Sequence, residues 1–152
     1  MPQVDAMSAE ADVLVLAPDL PKVALIAEVR TPPDDRGELS EERQDLRARM
    51  LRNKAAVGLM VTPDRTWVYH DTYADSDEPI ELVDEFPTAL LLGLTEPPAS
   101  ERELVRSLVH WLRRLTTGSP AALPSAASVR NRLARHLLPA MAEGRVQTTG
   151  PV

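Results

Sequence analysis

Apolar residues in this chain fall in short clusters, and the first two already have the shape of a hairpin. Asp12-Val-Leu-Val-Leu-Ala17 and Val23-Ala-Leu-Ile-Ala-Glu-Val29 flank Pro18-Asp-Leu-Pro-Lys22. Two β-branched-rich runs of strand length around a Pro-containing turn predict a β-hairpin. Both faces of both strands are largely apolar, which places the hairpin centrally in a sheet covered on two sides. Thr31-Pro-Pro-Asp-Asp-Arg-Gly37 reads as a loop. Ser40 is placed to cap a helix from about Glu41 to Ala56, with Leu46, Met50 and Leu51 on its buried side.

Val57-Gly-Leu-Met-Val-Thr62 reads as a buried strand, Pro63-Asp-Arg65 as a tight turn and Thr66-Trp-Val-Tyr-His70 as the return strand. An acidic loop from Asp71 to Pro79 follows, then a short strand and a short helix near Thr88 within residues 80–94. Ser100-Glu-Arg-Glu103 is a capping box. It opens a helix with Leu104, Val105, Leu108, Val109, Leu112 and Leu115 at amphipathic spacing. Residues 117–127, rich in Pro, Ser and Ala, read as a linker. A last helix starts near Ser128 with Val129, Leu133 and Leu137 on one side, and Pro139 is expected to end or kink it. The expected organisation is a flexible N-terminus over 1–11, an α/β domain over 12–116, the linker, and a C-terminal helix and tail over 128–152. The order of elements predicts a mixed central β-sheet flanked by helices, with further helices at the C-terminus.

Composition narrows the chemistry. At 152 residues without cysteine, the chain has no disulfide, zinc–thiolate site or thiol nucleophile. No stretch approaches the length of a membrane span and the first residues lack a signal-peptide pattern, so a cytoplasmic protein with no membrane association is expected. The net charge of −6 is unevenly spread. Residues 43–70 carry six bases against two acids and residues 101–152 eight Arg against three Glu, whereas residues 71–100 carry eight acids and no base. Segregated charge of this kind can present a basic face to phosphates; the plainer reading is a set of solvated helix faces.

The hairpin holds the candidate site. If Ala17 opposes Val23, Asp12 opposes Glu28, and directly opposed Cβ atoms lie roughly 4.5–5.5 Å apart. Two carboxylates that close need a positive charge between them, and Mg²⁺ suits oxygen ligands. Glu28 and Arg30, two residues apart, share a face. A one-residue slip would remove Asp12 from Glu28. The alternative is an ordinary apolar hairpin with Glu28 and Arg30 as an exposed end pair.

An Asp at the start of one strand and Glu-x-Lys at the end of the next, followed by a helix, is the pattern of the PD-(D/E)XK nuclease superfamily, and residues 10–73 resemble it. The likeness extends to short bacterial restriction-endonuclease-like proteins and to the nuclease domain of type I restriction enzyme motor subunits. Gln44 is similarly placed to a Gln on the helix of those proteins, and Gly58–Tyr69 resembles their following hairpin. The resemblance implies a restriction-endonuclease-like fold and metal-dependent hydrolysis of DNA with Mg²⁺ or Mn²⁺. It implies Asp12, Glu28 and the Val29 carbonyl as metal ligands, Arg30 in the place of the Lys, and Gln44 orienting water or phosphate. Two departures stand out. An arginine stabilises negative charge but does not take up a proton as a desolvated lysine can. The helix and strand that precede the Asp strand in such proteins have no counterpart in the eleven residues before Asp12, and Glu10 stands too close to replace the helix Glu. Asp19, in the turn, is the alternative first acid. The rival expectation is a non-catalytic member of the same fold that works in binding or assembly.

Arg43, Arg47 and Lys54, with Arg49 and Arg52 beside them, are placed to contact phosphates next to the site. His70, His110 and His136 fall on separate elements without i, i+4 pairing, so no histidine metal or triad site is expected. Of the two C-terminal helices, the first is expected to pack on the sheet and the second to support homo-oligomerisation or membership of a larger complex.

Overall fold

In the computed structural model the described residues are 12–18, 23–30, 40–72, 79–96, 98–118, 123–124, 127–141 and 143–149, with backbone alone at 12, 40, 140 and 149. Strands β1 (Asp12–Leu16) and β2 (Val23–Val29) form the hairpin, and helix α1 (Ser40–Asn53) leads to β3 (Val57–Val61) and β4 (Arg65–Asp71). Strand β5 (Ile80–Pro87) runs into the short α2 (Thr88–Leu92), followed by α3 (Glu101–Thr116), α4 (Ala127–Met141) and β6 (Arg145–Thr149). The six strands form one sheet in the order β5-β4-β3-β2-β1-β6. Every neighbouring pair is antiparallel except β2 and β3. Parallel neighbours require a crossover, and α1 provides it.

Alternation along the strands divides the apolar side chains between two layers. Leu25, Ala27 and Val29 of β2 join Val13, Val15, Leu59 and Val68 against α3 and α4. Ile26 joins Met60, Trp67 and Tyr69 beneath Leu46 and Met50 of α1. The two-sided cover expected for the hairpin is therefore present. On α3 the expected stripe is buried and includes Trp111, and the Ser100 hydroxyl accepts a hydrogen bond from the Glu103 amide at 3.2 Å.

Three local expectations change. Leu16, not Ala17, opposes Val23, because the register shifts between Val15 and Leu16 and leaves Ala24 as the extra residue. Leu51 is exposed, since α1 turns only its Leu46 and Met50 side toward the sheet. The expected end near Pro139 is present, with α4 closing at Met141. Residues 145–149 are a strand rather than a tail. Their alternation of Val146 inward with exposed neighbours is the weak signal that sequence reading passes over.

Residues 127–149 share the sheet and its main core. Leu133, Leu137 and Met141 of α4 are fully buried there, and β6 pairs with β1. The turn between them comes so near β1 that a Cβ on Gly144 would lie 2.7 Å from Val15 Cγ1 and 2.9 Å from the Leu16 carbonyl oxygen. Of the expected linker, residues 119–122 and 125–126 lie outside the described residues, as does the whole N-terminal segment 1–11.

Candidate functional site

The hairpin register sets Asp12 opposite Glu28, and the bulge falls at the far end of the pair, where it leaves this juxtaposition intact. Glu28 has no solvent exposure. A carboxylate in that position must be matched by charge and hydrogen bonds. Arg30 Nη2 donates to its Oε1 at 3.0 Å, and Arg49 Nη1, reaching down from α1, donates to its Oε2. The two guanidiniums are themselves largely buried, at 14 and 15% side-chain exposure. Arg30 is further fixed from both sides. Its amide donates to the Val61 carbonyl at 2.9 Å, continuing the β2–β3 ladder, and its Nη1 donates to the Val29 carbonyl at 2.9 Å.

The alternative of an exposed Glu28–Arg30 end pair does not hold: among the described residues, Glu28 is buried and paired with both Arg30 and Arg49. Arg49 is the member that sequence reading missed as a site residue. The signal was available: Arg49 is three residues beyond Leu46 and adjacent to Met50, on the flank of the buried stripe, where a guanidinium needs an acid. The side chain of Asp12 and all of Glu10 and Asp19 lie outside the described residues.

Both carboxylate oxygens of Glu28 and the Val29 carbonyl already accept from guanidinium groups. A cation approaching Glu28 would meet the two guanidiniums paired with it. No group of three or more His, Asp or Glu able to hold a metal occurs among the described residues.

Gln44 does not join this cluster. It is exposed and lines a cavity of about 190 Å³ with Arg43, Arg47 and Tyr69. Arg43 lies over Trp67, 4.8 Å from the ring centroid, and its Nε donates to the Tyr69 hydroxyl at 2.6 Å. Arg47 lies 5.1 Å over the Tyr69 ring. Aromatic faces attract guanidiniums through the negative face of the ring. Lys54 sits exposed just past the end of α1, at φ 55°, and does not line this cavity among the described residues.

A second polar cluster was not expected from the sequence. His70 of β4 and His136 of α4 meet edge to face, 5.3 Å between centroids. The Nε2–H of His70 donates to the His136 carbonyl at 2.6 Å. Asp84 of β5 accepts from both Arg132 Nε, at 2.8 Å, and Arg132 Nη2, and its Oδ2 lies 3.4 Å from His136 Nε2. Burial and the neighbouring His70 lower the pKa of His136, outweighing the opposite pull of Asp84. Burial alone would raise the pKa of Asp84, but its hydrogen bonds from Arg132 and the Glu85 amide hold it below the usual value. These residues fasten α4 to the sheet; sequence distance concealed them, since His70 and His136 come from different elements.

Fold and site together define a mixed α/β protein with a six-stranded sheet packed between helices and an arginine-clamped glutamate on its central hairpin. Compared with protein-family models, curated proteins and solved structures, the chain matches none. Among the described residues no helix is long and apolar enough to cross a membrane.

Proposed function

We propose that this chain is a restriction-endonuclease-like domain that binds DNA through its arginines and does not cleave it. The observation that carries this reading is the pairing of both Glu28 oxygens with Arg30 and Arg49. A carboxylate paired in this way serves to orient two cations. Beside it α1 presents Arg43 and Arg47 on an aromatic bed, in a charge pattern suited to phosphates. The likeness to the nuclease hairpin is supported by the Asp12–Glu28 register and by the parallel β2–α1–β3 connection. The helix-then-strand pair that such nucleases carry before the Asp strand has a counterpart in α4 and β6, which come after it in the chain and end beside β1.

A second reading is metal-dependent hydrolysis of DNA phosphodiesters with Mg²⁺ or Mn²⁺ held by Asp12, Glu28 and the Val29 carbonyl. The register favours it, and it requires Arg49 to leave Glu28.

Fluorescence anisotropy of labelled single- and double-stranded DNA, titrated with the protein in EDTA at rising salt, tests the first reading. Binding should need no metal and weaken steeply with salt, and Arg47→Met should lower the slope of log K against log salt by about one. Failure to bind either DNA at low salt would remove the proposal.

A further inference from the structure

Among the described residues the sheet ends at β6, with β1 on one side of it and no strand on the other. Its pairing with β1 is regular from Arg145 to Thr149, without bulge or proline, so its far edge offers a continuous run of backbone to another chain. The opposite edge of the sheet is guarded: β5 carries Glu81, Asp84 and Glu85, and its register against β4 shifts. Above β6 lies α3, while α4 of the same layer packs over β2 and β3. Between α3 and β6 is a cavity of about 270 Å³ lined by Val105, Arg106, Val109, His110, Arg113 and Thr148. Val105 and Val109 are buried, whereas Arg106, His110, Arg113 and Thr148 are exposed. Neither aspartate nor glutamate lines the cavity among the described residues. Part of the basic excess of residues 101–152 therefore lies beside an open sheet edge.

We propose that β6 and the basic flank of α3 form a docking site for an acidic segment of a partner protein, which joins the sheet as a further strand. Main-chain hydrogen bonds along the β6 edge supply affinity, and alternate side chains of the added strand supply specificity. Every second side chain of that strand faces α3. A small apolar one meets Val105 and Val109, and acids on either side of it meet Arg106 and Arg113. Those arginines stand roughly 10 Å apart along the helix, and acids four residues apart on a strand stand roughly 13 Å apart, a difference that flexible side chains span. Charge decides between occupants. A second copy docked edge to edge about a two-fold axis would set the same arginines against each other. The acidic β5 edge of a second copy has Asp84 paired with Arg132 and Glu85 with Arg65. A nucleic acid would engage the arginines but leave the strand edge and the two valines without a role. The site is independent of the DNA-binding reading above.

The test is NMR of the ¹⁵N-labelled protein titrated with a capped peptide built around Glu-Thr-Val-Thr-Glu. Two control peptides accompany it, one with Lys in place of both Glu and one acidic but methylated on its backbone amides. The acidic peptide should move the β6 amides and the Arg106 and Arg113 resonances saturably, slow amide exchange in β6, and bind less tightly as salt rises. Neither control should bind. Arg106→Glu combined with Arg113→Glu, both at exposed positions, should weaken binding at least about tenfold. If the double variant does not fold, the two control peptides on the wild type carry the same decision. Absence of saturable binding below about 1 mM overturns the proposal, as does equal binding of either control. If an oligonucleotide moves Arg106 and Arg113 while the β6 amides respond to neither ligand, the flank is a polyanion surface and the proposal falls. If concentrating the protein alone moves the β6 amides, a second copy holds the edge and the proposal falls.

Discussion

Replacing Arg49 by Met probes the arginine-clamped glutamate directly. Glu28 is fully buried and shared between Arg30 and Arg49, so Arg49→Met removes one of the two guanidiniums paired with its carboxylate. Breaking a buried ion pair by removing one partner costs roughly 3–5 kcal/mol, because the other charge stays desolvated. Arg30 at 3.0 Å retains part of the compensation, and Met fills most of the volume of the lost stem, so the lower end of that range applies, about 3 kcal/mol. For a chain of this length each kcal/mol lowers Tm by roughly 2–4 °C, giving an expected fall of about 6–12 °C at neutral pH. Urea denaturation followed by circular dichroism, on wild type, Glu28→Gln, Arg49→Met and the double variant, completes a thermodynamic cycle. The double variant should be less destabilised than the sum of the single ones by at least about 1 kcal/mol. Additive effects, or an Arg49→Met cost below about 1 kcal/mol, would refute the claim that the two residues form one electrostatic unit.

Gly58 on β3 has no room for a side chain: a Cβ there would fall against Met50 Sδ and within 3.4 Å of Leu46 Cδ1. Gly58→Ala should therefore cost about 1–3 kcal/mol in urea unfolding, and adding Met50→Ala should recover part of it. Leu137→Ala, in α4, should cost about 2–5 kcal/mol and lower a single cooperative transition, as expected if α4 shares the main core; a separate early transition for α4 would speak against this. His136 has a lowered pKa in the fold, so the unfolded chain binds its proton more readily. Its contribution is fully present above the ordinary value of 6.5 and is lost as the pH falls through the lower folded pKa. Thermal stability should decline across that window and His136→Gln should flatten the decline; an unchanged pH profile would contradict the assignment.

The hairpin, the crossover helix and the α3 stripe were legible because each rests on local periodicity: period two for the strands, and 3.6 for the helices. The Asp12–Glu28 pairing was legible even though the assumed Ala17–Val23 partner was wrong, since the bulge at Ala24 lies at the turn end of the hairpin. What stayed hidden was long-range. Arg49 reaches Glu28 across 21 residues, His136 reaches Asp84 and His70 from the far end of the chain, and β6 finds β1 from beyond Met141. Residue-type patterns carry no record of such partners. Gln44, expected beside the hairpin carboxylates, lines the α1–β4 cavity instead, because α1 sends Arg49 rather than Gln44 toward Glu28.

In the reading proposed above, guanidinium pairing takes the place of metal chemistry at Glu28. Its most direct test is incubation of end-labelled single- and double-stranded DNA with the protein and Mn²⁺ or Mg²⁺, resolved on a denaturing gel beside a Glu28→Gln variant. The account predicts intact DNA with both proteins; metal-dependent cleavage by the wild type that disappears in Glu28→Gln would contradict it.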